Sequence, residues 1–487
     1  MNDDLVVGIE PGKVQGHRLP DGTLEWAGIP YAAPPVAGLR FRPPVPPSQW
    51  SGVLPATAYA APPPQADQAE MMAAFRSMLR VSAAAQPPVI LPEPSEDCLY
   101  LNVWVPARHG SPLPAGGAGG LPVFVWIFGG GFEGGSATPP STRGDLFANE
   151  LDAVVVTLGY RVGALGYAWF GDLDPDWADA ANLGLQDQLL ALHWVRDNIA
   201  AFGGDPGRVT VGGASAGAFS IGALLSRPDA RALVHGAVLH SGSTWRTFPR
   251  DHAAAFAATF LEAAGVAPTD LGRVTTLPVD RILAAQVACV TGDFGNRNLR
   301  AQAWGLVLDG RVIPEYPMAV AERGDLAGLP LLVGSNADEM KLQALAPSFA
   351  PASESDLLAE LALVHEDAAV ALRSYRSRLG EAATLSDIRA AFLGDAIYVH
   401  RCDELADHQA AAGGPVWRLV LAAAPLGAAF GAFHGAEGMI MLGAGGAPGV
   451  DVSSARAALY AAWRGMVHHG DPGWARHVPG GDPYVIT

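Results

Sequence analysis

The decapeptide VTVGGASAGA, Val209 to Ala218, decides how the rest of this chain is read. It begins with a short β-branched run of the kind that suits a strand. It continues as Gly213-Ala214-Ser215-Ala216-Gly217, a G-x-S-x-G element. A serine at the centre of such an element sits on a sharp strand-to-helix turn in a strained backbone conformation. Side chains at the two flanking positions would collide with neighbouring backbone. The N-terminus of the helix that follows favours negative charge developing beside the serine. The element therefore marks Ser215 as a candidate nucleophile. Alone it is a weak sign, because glycine, alanine and serine are all abundant in this chain.

Upstream, the apolar run PVFVWIF, Pro122 to Phe128, leads into Gly129-Gly130-Gly131-Phe132. A glycine run lets backbone N–H groups face an oxyanion, and each such donor is worth about 3 kcal/mol of transition-state stabilisation. A rival reading exists: Gly129, Gly131 and Gly134 also spell G-x-G-x-x-G, a dinucleotide fingerprint. That reading needs a helix immediately afterwards, and SATPPSTRG with Pro139-Pro140 starts one poorly.

Further out, LYLNVWV (Leu99 to Val105) and AVVVTL (Ala153 to Leu158) read as strands, as do Leu331 to Gly334 and Val416 to Leu421. Leu183 to Ala201 has helical periodicity, and residues 252–290 and 354–412 are Ala-rich and mostly helical in pattern. Strands alternating with helices predict an α/β chain built on a doubly wound, mainly parallel sheet. The first 60 residues read as extended segments and turns. Residues 62–97 form an excursion that starts on Pro62-Pro63-Pro64. Within it Met71, Met72, Phe75, Met78 and Leu79 share the spacing of one helical face. This stretch is either a surface loop packed on the body or a cover over a binding cleft.

Composition excludes several classes. Among 487 residues, 49% are hydrophobic and 16% charged, ample for one large core. The formal net charge of −17 argues against a nucleic-acid partner, which would require a basic footprint. Mean hydropathy is +0.19, high enough to raise the question of a membrane span. The best candidate, Leu419 to Ala436, has no Asp, Glu, Lys or Arg. However, it is Ala/Gly-rich, contains Pro425 and lacks the Leu/Ile/Phe density of a spanning helix. The N-terminal MNDDLVVGIEPG has no basic region followed by an apolar run, so no secretory signal is expected. Cys98, Cys289 and Cys402 are far apart without metal-type spacing, and read as reduced thiols in a cytoplasmic protein.

Taken in order, a set of blocks resembles the carboxylesterase type B family, which includes bacterial esterases and cholinesterases. The blocks are GIPYAAPP, LRFRPP, SEDCLYLNVW, VWIFGGGF, NLGLQDQ, FGGDP, GASAGA, HSGS, GSNADEM and GAFHGAE, and they run through nearly the whole chain. The resemblance implies an α/β-hydrolase fold as a single domain over 1–487, with a cover loop near 62–97 and large helical insertions near 252–290 and 354–412. It implies a serine hydrolase for small to medium apolar carboxylic esters, working through an acyl-enzyme without metal or organic cofactor. The acid of the family motif falls on Glu339 and the base on His434. The oxyanion donors fall on the N–H groups of Gly130, Gly131 and Ala216, with Ser241 in support. From the residues alone, seven histidines follow Glu339 and Asp338 competes with it. Amides, carbamates or thioesters remain alternative substrates, as does a non-catalytic binding role on the same fold. Whether the chain is a monomer or a dimer is left open.

Some positions depart from the family pattern. Phe128 stands where a His or Tyr is frequent, and Ala214 where Glu is usual. Cys98 resembles a cysteine that relatives pair with one in the preceding loop, but no cysteine lies near Pro63. The loop Trp of cholinesterases is missing, and MKLQ follows Glu339 without paired aromatics. A quaternary-ammonium site built on aromatic faces is therefore not expected.

Overall fold

The computed structural model describes residues 5–66, 92–109, 113, 116–140, 142–289, 304–346, 349–443, 446–447 and 449–487. A ten-stranded sheet dominates it. From one edge to the other the strands are Tyr484–Ile486, Val416–Leu421, Leu331–Asn336, Gly236–His240, Gly204–Ala214, Leu121–Ile127, Val154–Leu158, Tyr100–Val105, Leu24–Pro30 and His17–Arg18. The first six neighbouring pairs are parallel. The last three, at the N-terminal edge, are antiparallel. The sheet is thus mostly parallel, as the alternating pattern predicts.

Why both faces are covered is visible in one strand. Along Leu121–Ile127, Val123, Val125 and Ile127 belong to one buried cluster with Leu192 and Ile221, which lie on the helices Leu183–Asn198 and Ala216–Leu225. Phe124, between them in sequence, belongs to a second cluster with Phe147 and Trp463, from the helices Gly144–Leu151 and Ser453–His469. Successive side chains of a strand point to opposite faces, so each apolar face has its own helical layer. That is why the central strands read as continuous apolar runs without alternation.

The 354–412 region forms the helices Glu354–Leu361, Ala368–Leu379, Leu385–Gly394 and His400–Ala411, with a π-helical turn at Asp395–Val399. Three of them start on N-caps written in the sequence: Ser353, Asp367 and Thr384, whose side chains accept from the backbone N–H of Asp356, Val370 and Asp387. The 252–290 region gives Arg250–Ala264 and Val279–Cys289.

The extended segments expected in the first 60 residues are strands: Leu24–Pro30 is a full member of the large sheet, and Val6–Ile9, Gly12–Gln15 and Val53–Pro55 form a small sheet of their own. One boundary needs correction. Val209 to Val211 is only the middle of an 11-residue strand, Gly204–Ala214. Pairing with Leu121–Ile127 extends it through glycine and proline that local propensity disfavours. The amphipathic stretch Met71 to Leu79 lies outside the described residues. At the base of the 62–97 excursion, Ser95 N–H donates to Pro62 O at 3.0 Å. Gln65 exchanges two hydrogen bonds with Gly135, at 3.0 and 3.1 Å, tying this base to the loop that follows the glycine run.

Candidate active site

Three adjacent strands bring the candidate residues to one end of the sheet. Ala214 pairs in register with His240, and His240 with Gly334. Ser215, Ser241 and the turn carrying Glu339 therefore leave the sheet side by side, at the carboxyl ends of parallel strands where open α/β sheets build their sites. Backbone bonds lock the exits: Ser215 N–H donates to His240 O at 2.9 Å, and Ser241 N–H to Gly334 O at 2.8 Å.

Ser215 joins the strand Gly204–Ala214 to the helix Ala216–Leu225 at φ 55°, ψ −125°. A non-glycine residue held at positive φ is strained and needs surrounding structure to hold it there. The glycines beside it are sterically required. A Cβ on Gly217 would lie 2.1 Å from the carbonyl oxygen of Ile127, and one on Gly213 would lie 2.8 Å from the carbonyl carbon of Gly217. Gly217→Ala should therefore destabilise the fold by about 1–3 kcal/mol through overpacking. The expected result is a lower urea midpoint at unchanged slope.

The glycine run lies against this turn. A Cβ on Gly129 would be 2.6 Å from Ala214 O and 3.2 Å from the Ser215 Cβ. Gly130 and Gly131 take φ 131° and 63°. Gly130 O accepts from the N–H groups of Glu133 and Gly134, both at 3.1 Å, which closes the loop. Ala216 is the first residue of its helix, where N–H groups lack intrahelical acceptors. Next to Gly129, Phe128 stacks on Tyr160 with ring centroids 4.1 Å apart, and the Tyr160 hydroxyl donates to Phe128 O at 2.7 Å. An apolar ring at this position thus packs the base of the loop. After the glycine run the first helix is Gly144–Leu151, too late to serve a dinucleotide fingerprint.

Glu339 is buried, and its Oε2 lies 2.7 Å from Nδ1 of His434. His434 N–H also donates to Glu339 O at 2.9 Å, so backbone and side chain hold the two residues together. The other carboxylate oxygen, Oε1, accepts from the Ser241 hydroxyl at 2.6 Å and the Asn336 N–H at 2.8 Å. Burial opposes ionisation of Glu339, but the His434 imidazole, the Ser241 hydroxyl and the Asn336 N–H outweigh it and hold the carboxyl below its ordinary value. Asp338, the neighbouring competitor, faces elsewhere: it accepts from Ala432 N–H at 3.1 Å and lies 3.6 Å from Lys341. Ser241, like Ser215, has positive φ, 51°.

Three buried residues that motif reading passed over complete the setting. The Asn336 side-chain amide donates to Glu437 Oε2 at 2.8 Å and to Phe433 O at 3.1 Å, and its Oδ1 lies 3.1 Å from His240 Nε2. Asn336 therefore ties the strand end, the Glu339 turn and the His434 loop together. A signal existed for each: a polar residue ending an apolar run (GAVLH, LLVGSN), and an acid three residues after His434.

The sheet order, the strained serine turn and the loop packed against it define an α/β-hydrolase fold. Against the carboxylesterase family model the chain matches over residues 3–452, and it belongs to that family. It is 38% identical over 334 residues to the para-nitrobenzyl esterase of Bacillus subtilis and 35% identical over 342 residues to the fumonisin B1 esterase of Sphingopyxis macrogoltabida, covering 69% of this chain in each case. These alignments span only 63% and 56% of the relatives' own lengths. Among solved structures it is similar to the Geobacillus stearothermophilus carboxylesterase EST55, with 32% identity, a TM-score of 0.82, and 99% of this chain and 96% of that chain covered. A para-nitrobenzyl esterase structure matches with 32% identity and a TM-score of 0.80, over 98% of this chain and 94% of the other. Among the described residues, no helix is long and apolar enough to cross a membrane, and all three cysteines are buried free thiols.

Proposed function

We propose that this chain is a serine carboxylic ester hydrolase, with Ser215 as nucleophile, His434 as base and Glu339 as the group that orients the base. One observation carries the reading: a buried carboxylate 2.7 Å from the Nδ1 of an imidazole, at the same end of the parallel sheet as a strained serine two strands away. The named relatives support it, since para-nitrobenzyl esterase and fumonisin B1 esterase are both esterases. We read the chain, 1–487, as one domain in a reducing, cytoplasmic setting, with small to medium apolar esters as substrates.

The chemistry then runs on side chains and backbone. His434 accepts the Ser215 proton as Oγ attacks the ester carbonyl. Glu339, steadied by Ser241, keeps Nδ1 protonated and facing it, and stabilises the imidazolium that forms. The N–H groups of Gly130, Gly131 and Ala216 receive the oxyanion. The alcohol leaves with the proton from His434, and water then repeats the sequence on the acyl-enzyme.

A fluorophosphonate probe followed by peptide mass spectrometry tests the assignment. One label per folded chain on Ser215, with parallel loss of ester hydrolysis, is expected. Hydrolysis that survives full labelling of Ser215 would discard the reading.

A further inference from the structure

The bond from Glu339 to His434 runs along one line, Nδ1 to Oε2. It fixes the distance and heading of the imidazole but leaves the ring free to roll about that line. A contact on the ring face removes this freedom, and the structure supplies one. The Tyr398 ring lies over His434 with centroids 4.5 Å apart and planes 34° apart. Both side chains are withdrawn from solvent: Tyr398 is 3% exposed, and the His434 side chain 11%.

Tyr398 is held there by an unusual backbone. It belongs to the π-helical turn Asp395–Val399, set between two α-helices. Such turns are rare and concentrate at functional sites. The Trp245 indole N–H donates to Ile397 O at 3.0 Å and anchors the turn to the loop that leaves Ser241. Behind Tyr398, Phe219 stacks at 6.3 Å with planes 28° apart, and its own N–H donates to Ser215 O at 2.9 Å. One run of rings thus joins the nucleophile's helix to the base.

We infer that Tyr398 is a positioning residue for the reaction: its ring fixes the plane of His434 and its π-face stabilises the imidazolium formed as Ser215 loses its proton. The inference rests on the assignment of His434 as base under the proposed function. The chemistry favours the charged state over the resting one. A cation within about 6 Å of an aromatic centroid is attracted by the ring quadrupole, most strongly where water is excluded. Because the imidazole is neutral before attack and charged during it, the effect belongs to turnover and not to substrate binding.

The test is a set of side chains at one position, assayed on p-nitrophenyl butyrate. Tyr398→Phe keeps the face and should hold kcat within about threefold of wild type. Tyr398→Leu fills similar space without a face and should lower kcat roughly five- to thirtyfold, with KM within about threefold. Mono-, di- and trifluorinated phenylalanine at position 398 weaken the face at nearly constant shape, and kcat should fall stepwise with fluorine number. This series reads the effect even if Tyr398→Leu does not fold. A flat fluorine series, an effect confined to KM, or equal losses in Tyr398→Phe and Tyr398→Leu would each overturn the inference. Ser215→Ala, assayed in parallel, separates the two readings. If it hydrolyses the ester like wild type, the underlying assignment fails. If it is inactive while the fluorine series is flat, only the role of Tyr398 fails.

Discussion

Ser215→Ala is expected to lower kcat/KM by roughly three or more orders of magnitude across a series of p-nitrophenyl esters of increasing acyl length. The loss should be similar at every length, because it removes the attacking atom and not a contact with the acyl chain. Folding should be untouched. Alanine still carries a Cβ at φ 55°, so the strain of the turn is unchanged. The glycines that make room for the turn are still present, and the backbone bond from residue 215 to His240 O does not use the hydroxyl. Thermal unfolding should therefore give a melting temperature within a few degrees of wild type, on the order expected when no buried contact is lost. Wild-type rates in folded Ser215→Ala would require a different nucleophile.

Glu339→Gln should be the next largest, with kcat reduced roughly a thousandfold or more. The amide is nearly isosteric but cannot reproduce the charge. A side-chain NH2 facing His434 Nδ1 would favour the tautomer with its proton on Nε2, where the proton from Ser215 has to go. The imidazolium would also lose its counter-charge inside a buried site. The variant has a second signature in stability. The Glu339 carboxyl is held below its ordinary value, so its ionised form stabilises the fold. That contribution is complete above the unfolded value, about pH 4.3, and is lost as pH falls through the lower folded one. Urea titrations from about pH 7 to about pH 3 should show the acid-side loss in wild type and a flatter profile in Glu339→Gln. Equal acid-side slopes in the two proteins would mean that another carboxylate dominates there.

Much of the frame was legible because its causes are local. Pro122 to Phe128 and Ala153 to Leu158 are apolar runs of strand length, Val416 to Leu421 is one interrupted only by Arg418, and each is a strand within a residue or so. The Ala-rich 354–412 stretch declares three of its helix starts through Ser353, Asp367 and Thr384. Leu24–Pro30 was harder to see, because it joins an antiparallel sheet edge by pairing with Tyr100–Val105, some 75 residues later. The π-helical turn under Tyr398 was invisible, since nothing in DAIYV departs from an ordinary helical pattern.

The sequence by itself determined the turn at Ser215 and the glycine run beside it. Both depend on steric clashes among residues close in the chain or in adjoining strands, and glycine answers such clashes wherever it is placed. It could not, from its residues alone, choose among seven histidines or between Asp338 and Glu339. That choice belongs to the tertiary structure. His434 and Glu339 are 95 residues apart, and Ser241 and Glu339 are 98 apart. Their meeting depends on the register that sets Ala214, His240 and Gly334 side by side. The ring of Tyr398 reaches His434 only because a widened helical turn carries it there. Contacts of this kind are fixed by how strands align and helices pack, and no short stretch of sequence contains them.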